Sequence, residues 1–352
     1  MSHFKLDYTV KELQLRQVFT IARGSKHSVE NVMIRLKSGG ISGYGEAGPN
    51  KRYNEDAQRV ITFLGAIEDH FFDSVSTAEE VVQELAALPG NNPKLNSIKS
   101  AQVAVEMAWL DWWGKQQGKP LWKLWKAPST IGPVTSFTIG LDELPIMQQK
   151  VRQAGKYPLL KVKLGTDRDR SIIKAIREVT NKPLRVDANE GWETLEEARA
   201  AIDFLADQKI EMVEQPMPAS CFEEMVALKE YSPIPLCADE SFEGQEDLEY
   251  LSRAFDIINI KLMKTGSLIR SKQIIEKAHD VDLRVMIGCM IESSLANTAG
   301  ALLSLWADYA DLDGHLLIKE DPFEGLTLDL QKRVQLNEQP GLGVNLKESL
   351  FQ

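Results

Sequence analysis

Short β-rich runs alternate with amphipathic stretches from about residue 130 to residue 320 of the chain. In the stretches, apolar residues return with the helical period. In SIIKAIREVT, for example, Ile172, Ile173 and Ile176 share one face of a predicted helix. The eight runs are TSFTIG from Thr135, LLKVKL from Leu159, LRVDAN from Leu184, IEMVEQ from Ile210, PLCADE from Pro235, IINIKL from Ile257, RVMIGC from Arg284 and the DLDG region near Ala310.

This alternation predicts an α/β fold. Strands that alternate with helices imply right-handed crossovers and a parallel sheet, and eight such strands close economically into a TIM-like (β/α)7β barrel. An open doubly wound sheet is the alternative. Residues 1–125 differ, because hairpin-like runs such as VENVMIRLKSGGISGYGEA precede a Trp-rich helix. We expect an α+β capping domain at 1–125, the barrel at 126–320, and a C-terminal segment at 321–352 that returns to the cap.

Composition narrows the class of partner. The 352 residues are 43% hydrophobic and 26% charged, with a net charge of −10, which suits a globular protein and argues against nucleic acid. Three widely spaced cysteines suggest neither disulfides nor a thiolate metal site. The N-terminus MSHFKLDYTV lacks an apolar signal region, and we expect a cytoplasmic protein without a membrane span that acts on a small molecule. A homo-oligomer is compatible with the sequence, although no pattern specifies one.

Carboxylates end three consecutive predicted strands: Asp187 in VDANEGW, Glu214 in VEQPMP and Asp239 in CADES. Side chains at the carboxyl ends of barrel strands converge on one mouth, and three anions there repel one another unless a divalent cation is bound. Ligation by oxygen alone favours one Mg²⁺ per subunit, with Mn²⁺ as the second choice, and leaves positions for a substrate carboxylate. The alternative is that each acid caps the following helix.

Lysines end the strands on either side of this acidic group. Lys163 ends the second strand in KVKL, and Lys261 ends the sixth in NIKL, so a substrate carbon held above the metal would have one amine on each face. Lys161 lies two residues before Lys163 and points to the same side. The metal would stabilise an enediolate formed when a proton leaves the carbon beside a carboxylate, and two bases on opposite faces imply inversion. Solvated surface lysines are the alternative.

The motifs KVK, DAN, EQP, ADE and NIKLMKTG, in this order, resemble the enolase superfamily in its muconate-lactonizing subgroup. The resemblance spans nearly the whole chain, including FTIARGS and GYGEAGPNKRY, which look like that family's capping domain and specificity loop. Where members commonly have KTGG, this chain has Lys264-Thr265-Gly266-Ser267. Within the subgroup it is most similar to dipeptide epimerases, which implies a Mg²⁺-dependent isomerase.

The DLD motif at the eighth strand is the feature on which the similarity to dipeptide epimerases within the subgroup depends. Asp311 and Asp313 alternate onto one face of a strand that lies across the ring from the fourth, where they could bind the α-ammonium of a dipeptide. An acidic turn around Gly314 is the alternative reading. The resemblance implies that Thr135, Cys289 and Ile291 line the peptide path and that Arg23 meets the side chain of the C-terminal residue. From the residues alone, Cys289 packing in the core and a solvated Arg23 are equally good interpretations.

We therefore expect an enzyme that inverts the α-carbon of the C-terminal residue of a dipeptide by proton transfer between two bases. A cycloisomerase, an o-succinylbenzoate synthase or an N-acyl amino acid racemase on the same barrel is the alternative within the superfamily. Their substrates carry no free ammonium, so Asp311 and Asp313 argue against them. A non-catalytic binding protein on a decayed barrel is the alternative outside enzymes, although all five metal and lysine positions are occupied. The preferred dipeptide is not readable from the sequence.

Overall fold

A computed structural model describes residues 3–68, 70–73, 75–91 and 95–351. The strands are β1 (Lys5–Ile21), β2 (Gly24–Ser38), β3 (Ile41–Ala47), β4 (Ile131–Val134), β5 (Phe137–Ile139), β6 (Leu160–Lys163), β7 (Leu184–Asp187), β8 (Ile210–Glu214), β9 (Leu236–Ala238), β10 (Ile257–Lys261), β11 (Arg284–Gly288), β12 (Tyr309–Asp311), β13 (Phe323–Glu324), β14 (Thr327–Leu328), β15 (Arg333–Gln335) and β16 (Asn345–Leu346). The helices are α1 (Ala57–Leu64), α2 (Ala78–Asn91), α3 (Lys99–Gln116), α4 (Leu121–Leu124), α5 (Leu144–Gln153), α6 (Asp169–Arg177), α7 (Leu195–Asp207), α8 (Phe222–Tyr231), α9 (Leu248–Ser252), α10 (Leu262–Thr265), α11 (Leu268–Asp280), α12 (Ser294–Ser304) and α13 (Gly314–Leu317).

The eight predicted strands form one sheet in which β5 to β12 follow one another in chain order and each pair is parallel. A bridge between Thr135, just before β5, and Ala310 of β12 brings the two ends of the sheet together. A doubly wound sheet would instead reverse its strand order near the middle. The prediction of a TIM-like barrel is therefore confirmed.

The helices around the barrel form where the sequence places apolar stripes. On α6, Ile172, Ile173 and Ile176 are all fully buried, as the helical period predicts. Helix α7 begins after Thr194, whose side-chain oxygen accepts a hydrogen bond from the backbone N–H of Glu197. Each helix thus covers a strand and fixes the direction in which that strand's carboxyl end points.

The N-terminal region forms a cap in which an antiparallel sheet of β1, β2 and β3 packs on the Trp-rich helix α3. The contact requires small residues, because a Cβ atom at Gly45 would lie 1.9 Å from the carbonyl oxygen of Ala104. Gly43 approaches Ala108 in the same way. The tip of the β1–β2 hairpin, between Ile21 and Gly24, carries the FTIARGS motif toward the barrel mouth.

The C-terminal segment returns to both parts of the molecule. Strand β15 pairs with β4, which precedes the barrel, while Phe351 stacks against Tyr44 of the cap. The backbone N–H of Leu342 donates to the carboxylate of Asp111 on α3. The domain limits given above remain predictions, although these contacts agree with a tail that rejoins the cap. Within the described residues, no helix is both long enough and apolar enough to cross a bilayer.

Candidate active site

Strand register brings the predicted site residues together at the mouth of the barrel. Lys163 at the end of β6 is paired in register with Asp187 at the end of β7, and Asp187 is paired with Glu214 at the end of β8. Asp239 directly follows β9, and Lys261 ends β10. Five consecutive strands therefore each place one ionisable side chain at or just beyond the carboxyl end of the strand, and all five residues are buried.

The three carboxylates form a compact cluster. Asp187, Glu214 and Asp239 each offer an oxygen atom, and these oxygens lie within 4.8 Å of one another. Burial and the neighbouring negative charge of Asp187 raise the pKa of Glu214 to about 7. Burial opposes ionisation of Asp187 too, but the ammonium groups of Lys163 and Lys161 outweigh it and hold the pKa of Asp187 below its usual value. Glu214 is thus the carboxylate of the cluster whose negative charge the surrounding protein stabilises least.

The residues around the cluster fit a hydrated divalent cation. All three candidate ligands are carboxylates, which suits Mg²⁺ better than zinc. Among the described residues, Oδ1 of Asn189 and Oε2 of Glu240 are buried beside the cluster without a hydrogen-bond partner. Unpaired buried oxygens are costly, and water molecules on a bound cation are donors that would satisfy them. The metal would be held by the three carboxylates Asp187, Glu214 and Asp239.

The two predicted bases contact opposite ends of this cluster. The Nζ atom of Lys163 lies 2.6 Å from Oδ2 of Asp187, and Nζ of Lys261 lies 2.7 Å from Oδ2 of Asp239. Each lysine reaches the cluster from a strand that flanks it. A substrate carbon above the carboxylates would therefore lie between two amines.

Two further lysines neutralise the carboxylates from below. Lys161 is buried, and its Nζ lies 3.1 Å from Asp187, 2.6 Å from Glu214 and 2.7 Å from Asp311. These negative charges overcome the cost of burial and raise the pKa of Lys161 well above its usual value, so it remains charged. Lys264, in α10, donates to both the backbone oxygen and Oδ1 of Asp239.

The acidic pair of the DLD motif lies at the other side of the mouth. Asp311 ends β12 and accepts a hydrogen bond from the Ser136 hydroxyl at 2.5 Å. Asp313 accepts from the backbone N–H of Thr138 at 2.6 Å. Burial and the nearby charge of Asp311 raise the pKa of Asp313 to about 6. Both carboxylates line the same cavity as Lys163 and are ionised together at neutral pH, which suits them to bind a cationic group.

Of the three residues that the resemblance assigns to the peptide path, two line the cavity and one does not. Cys289 and Ile291 line the cavity, and Cys289 Sγ donates to the backbone oxygen of Asp311 at 3.3 Å. Thr135 is fully buried and absent from the cavity wall, because its hydroxyl accepts from the backbone N–H of Leu312 at 2.8 Å. Thr138, which lies within the short strand β5, lines the cavity instead. The rule that strand ends reach the mouth favours Thr138 over the first residue of the run.

The cavity above the carboxylates has a volume of about 490 Å³ and lies between the barrel mouth and the cap. Its barrel side is formed by the charged residues described above. Its cap side is formed by the hairpin segment 19–26 and by the segment 48–53, which includes a single 3₁₀ turn. A substrate in this cavity would therefore lie between the charged residues of the barrel and the cap loops.

Arg23 joins the hairpin tip to the barrel. Its guanidinium donates to Oε1 of Glu240 at 2.5 Å, to Oε2 of Glu190 at 3.1 Å and to the backbone oxygen of Asn189 at 3.0 Å. Arg52 in the second cap segment donates to the other oxygen of Glu190 at 2.8 Å. Arg23 does line the cavity, as expected, but its charge is already shared between two carboxylates.

Several residues of the site are absent from the sequence predictions. Asn259, in the interior of β10, donates to Oε1 of Glu214 at 2.9 Å. The side-chain oxygen of Gln215 accepts from the backbone N–H of Asp239 at 2.9 Å and so orders the strand end. Asn189, Glu190 and Gln215 all have positive φ, an unusual conformation that is common at functional sites. Asn189 and Gln215 lie within the DAN and EQP motifs, and Glu190 directly follows DAN, but in each motif only the predicted metal ligand carries an obvious chemical signal.

Family models match both parts of the chain. Residues 6–125 match the mandelate racemase / muconate lactonizing enzyme N-terminal domain, and residues 146–350 match the enolase C-terminal domain-like family. The chain belongs to the enolase superfamily. This confirms the resemblance inferred from its motifs, and it confirms that the chain is an isomerase of this superfamily, since the relatives described next are epimerases.

The L-Ala-D/L-Glu epimerase of Bacteroides thetaiotaomicron is 37% identical over 341 residues, which are 97% of this chain and 87% of the relative. Two solved structures share the fold. The substrate-liganded L-Ala-D/L-Glu epimerase from Bacillus subtilis aligns with a TM-score of 0.87 at 27% identity, covering 98% of this chain and 99% of the other. A dipeptide epimerase from Enterococcus faecalis, complexed with Mg and the dipeptide L-Leu-L-Tyr, aligns with a TM-score of 0.85 at 30% identity, covering 98% and 100%.

Proposed function

We propose that this enzyme is a Mg²⁺-dependent dipeptide epimerase that inverts the α-carbon of the C-terminal residue. The observation that carries the proposal is the arrangement of Lys163 and Lys261 on either side of one carboxylate cluster, with Asp311 and Asp313 across the cavity. The acidic pair separates a dipeptide from an N-acylated amino acid, because only the dipeptide offers a free ammonium. Dipeptide epimerases among the relatives and solved structures support this choice.

The chain's own groups suffice to place such a substrate. Asp311 and Asp313 bind the α-ammonium, which fixes one end of the dipeptide at β12. The carboxylate at the other end lies over Asp187, Glu214 and Asp239, where bound Mg²⁺ would supply positive charge to it and to the charge that develops as the α-proton leaves. Lys161 adds a fixed positive charge beside the same cluster.

The two flanking lysines then move the proton. Lys163 removes the α-proton of one epimer, and Lys261 delivers a proton to the opposite face of the planar carbon. In the reverse direction the two lysines exchange roles. Because the two amines approach from opposite strands, inversion is the expected outcome rather than return to the same face.

The proposal is tested in deuterated water. Enzyme with Mg²⁺ and a set of L-Ala-L-Xaa dipeptides should incorporate deuterium at the α-carbon of the C-terminal residue and form the D epimer. The same dipeptides acetylated at the N-terminus are the matched control and should react far more slowly, since they lack the ammonium. If none of the dipeptides shows exchange, the proposal is contradicted. Faster exchange with the acetylated set also contradicts it and favours an N-acyl amino acid racemase.

A further inference from the structure

The chain segments that follow the two flanking lysines are held in different ways. Lys261 ends β10 and is followed directly by the short helix α10 and then by α11. Lys163 ends β6 and is followed by a loop that leads to α6. We call residues 262–269 the Lys261 connection and residues 164–168 the Lys163 connection. A contact that holds one of these connections also restrains the lysine that precedes it.

A buried glutamate of the cap holds the far end of the Lys261 connection. Glu106 lies on α3 and is fully buried. Its two carboxylate oxygens accept hydrogen bonds from the backbone N–H groups of Leu268 and Ile269, each at 2.9 Å, at the start of α11. The first N–H groups of a helix have no partner within the helix, so a side chain that accepts from them fixes where the helix begins. Glu106 therefore ties the cap to the start of α11.

A second contact of α3 holds α10 itself. Gly266, which follows α10, lies so close to Lys99 of α3 that a Cβ atom on this glycine would be 3.1 Å from the Cβ of Lys99. On its other side, α10 contacts the carboxylate cluster through Lys264, which donates to Asp239. Helix α10 is thus fixed between the cap and the cluster, and Lys261 immediately precedes it.

The Lys163 connection is held by the barrel. The backbone N–H groups of Gly165 and Thr166 donate to the carboxylate of Asp169 on α6, at 3.0 Å and 2.9 Å. The guanidinium of Arg168 donates to the backbone oxygen of Asp142, which lies between β5 and α5. These contacts lie within the barrel, so the cap restrains the two lysines unequally.

We propose that Glu106 is a positioning residue for Lys261: by fixing the start of α11 against the cap, it keeps the amine of Lys261 aligned with the substrate carbon, whereas the placement of Lys163 does not depend on it. The inference rests on the proposed function and adds to it a residue that lies outside the cavity wall. A displacement of a reacting group by about 1 Å can lower a rate about hundredfold. Docking of the cap would therefore control one of the two proton transfers that inversion requires.

Enzymes with a single base separate the two proton transfers. In Lys163→Ala only Lys261 can exchange the α-proton of a dipeptide, and in Lys261→Ala only Lys163 can. Glu106→Gln keeps the shape of the side chain but leaves it one oxygen acceptor. Added to the first enzyme, it should lower deuterium exchange by about 10- to 100-fold. Added to the second, it should lower exchange by less than about twofold, because the two sites share no partner.

Nuclear magnetic resonance measures this exchange at saturating Mg²⁺, with both epimers of the dipeptide that the unmodified enzyme exchanges fastest. Burial raises the pKa of Glu106 to about 7, so the measurement is made at about pH 8, where the side chain is a carboxylate. Thermal melting of every variant shows whether it is folded.

Asp321→Asn is the matched control. The carboxylate of Asp321 accepts from the backbone N–H and from the hydroxyl of Ser294, the first residue of the neighbouring helix α12. Its replacement therefore loosens the start of a barrel helix without altering the contacts of the Lys261 connection. Asp321→Asn should change exchange in the two single-base enzymes by the same factor.

Equal loss of exchange in both single-base enzymes would make Glu106 a residue of general stability, and unchanged exchange in a folded variant would also overturn the inference. If Glu106→Gln does not fold, Glu106→Asp replaces it, because this change keeps the carboxylate and withdraws it by one methylene group. It should slow exchange by about two- to tenfold in the Lys163→Ala enzyme alone. An equal change in both enzymes, or no change, overturns the inference in this case too.

Failure of the proposed function gives a different result. If the unmodified enzyme exchanges no dipeptide, amide hydrogen exchange followed by mass spectrometry tests the contact itself, because it reports local opening without a substrate. Glu106→Gln should then speed amide exchange in residues 262–269 and leave residues 164–168 unchanged. Faster exchange in both connections, or in neither, overturns the inference. Epimerisation by the unmodified enzyme without a selective effect of Glu106→Gln leaves the function standing and removes the inference.

Discussion

Two parts of the cavity hold their charges in different ways. We call the barrel side, formed by the residues at the strand ends, the floor, and the cap side, formed by segments 19–26 and 48–53, the rim. On the floor, each carboxylate of the cluster contacts at least one buried lysine, and these groups lie at the carboxyl ends of the consecutive strands β6 to β10. On the rim, cations extend from two cap segments, and Lys26 and Lys51 are exposed to solvent. In the proposed function, rigid strands thus fix the groups that perform the chemistry, whereas the cap loops are the part of the cavity that differs in its contacts and can select the substrate. The predictions below test this division.

The largest effect is expected for the two bases on the floor. Lys163→Ala and Lys261→Ala should each lower the rate of epimerisation by about 10²- to 10⁴-fold, because a general base or acid contributes rate enhancements of this size. Each variant should still exchange the α-proton of one epimer with deuterated water, and the two variants should differ in which epimer. Nuclear magnetic resonance of both epimers measures this. If both variants exchange the same epimer, the lysines do not act on opposite faces.

A smaller effect is expected for Asn259, which supports one carboxylate of the floor. Asn259 donates to Glu214, whose pKa is about 7 in the absence of a cation, and this contact keeps the carboxylate oriented. Asn259→Ala should weaken Mg²⁺ binding by about 10- to 100-fold, which is typical when a partner of a metal ligand is removed. Titration calorimetry with Mg²⁺ provides the measurement, and thermal melting checks the fold. Unchanged affinity in a folded variant would show that Glu214 is oriented without this amide.

The acidic pair predicts a pH dependence. The pKa of Asp313 is raised to about 6 by burial and by Asp311, so the free enzyme loses this negative charge as the pH falls through about 6. The value of kcat/KM for a dipeptide should then fall as the pH drops below that point and level off at about a tenth of its neutral value, because protonated Asp313 no longer supplies its charge. Asp313→Asn should lower kcat/KM at neutral pH by about tenfold and abolish this acidic limb. An identical limb in the variant would assign the titration to another group.

The strand pattern of the sequence predicts the floor well. Lys163, Asp187, Glu214 and Lys261 each end a strand, as expected from apolar runs that stop at an ionisable residue. This works because a barrel brings every strand end to one mouth, so position along the chain translates directly into position in space. The family match confirms the fold that this reasoning predicts.

The rim is much harder to predict, because loop contacts depend on how the cap sits on the barrel. Nothing in the FTIARGS motif shows that Arg23 meets Glu240, since 217 residues separate them. Thr135 illustrates the same difficulty at smaller scale: it precedes β5 and is fully buried, whereas Thr138 within β5 lines the cavity. Neutral groups such as Asn259 give no chemical signal in the sequence and become visible only through the oxygen they contact.

The smallest effect is expected at the rim, for Arg52. Its guanidinium shares Glu190 with Arg23 but is partly exposed, with 41% of the side chain accessible. Exposed ion pairs contribute little because water screens them, so Arg52→Gln should change kcat/KM by only about twofold to fivefold for every dipeptide. Steady-state kinetics at low and high salt provides the measurement. Raising the salt should lower kcat/KM of the unmodified enzyme toward the value of the Arg52→Gln variant, because salt screens the ion pair. A loss as large as that of a floor variant would show that the rim also orders the chemistry, and the division between floor and rim would fail.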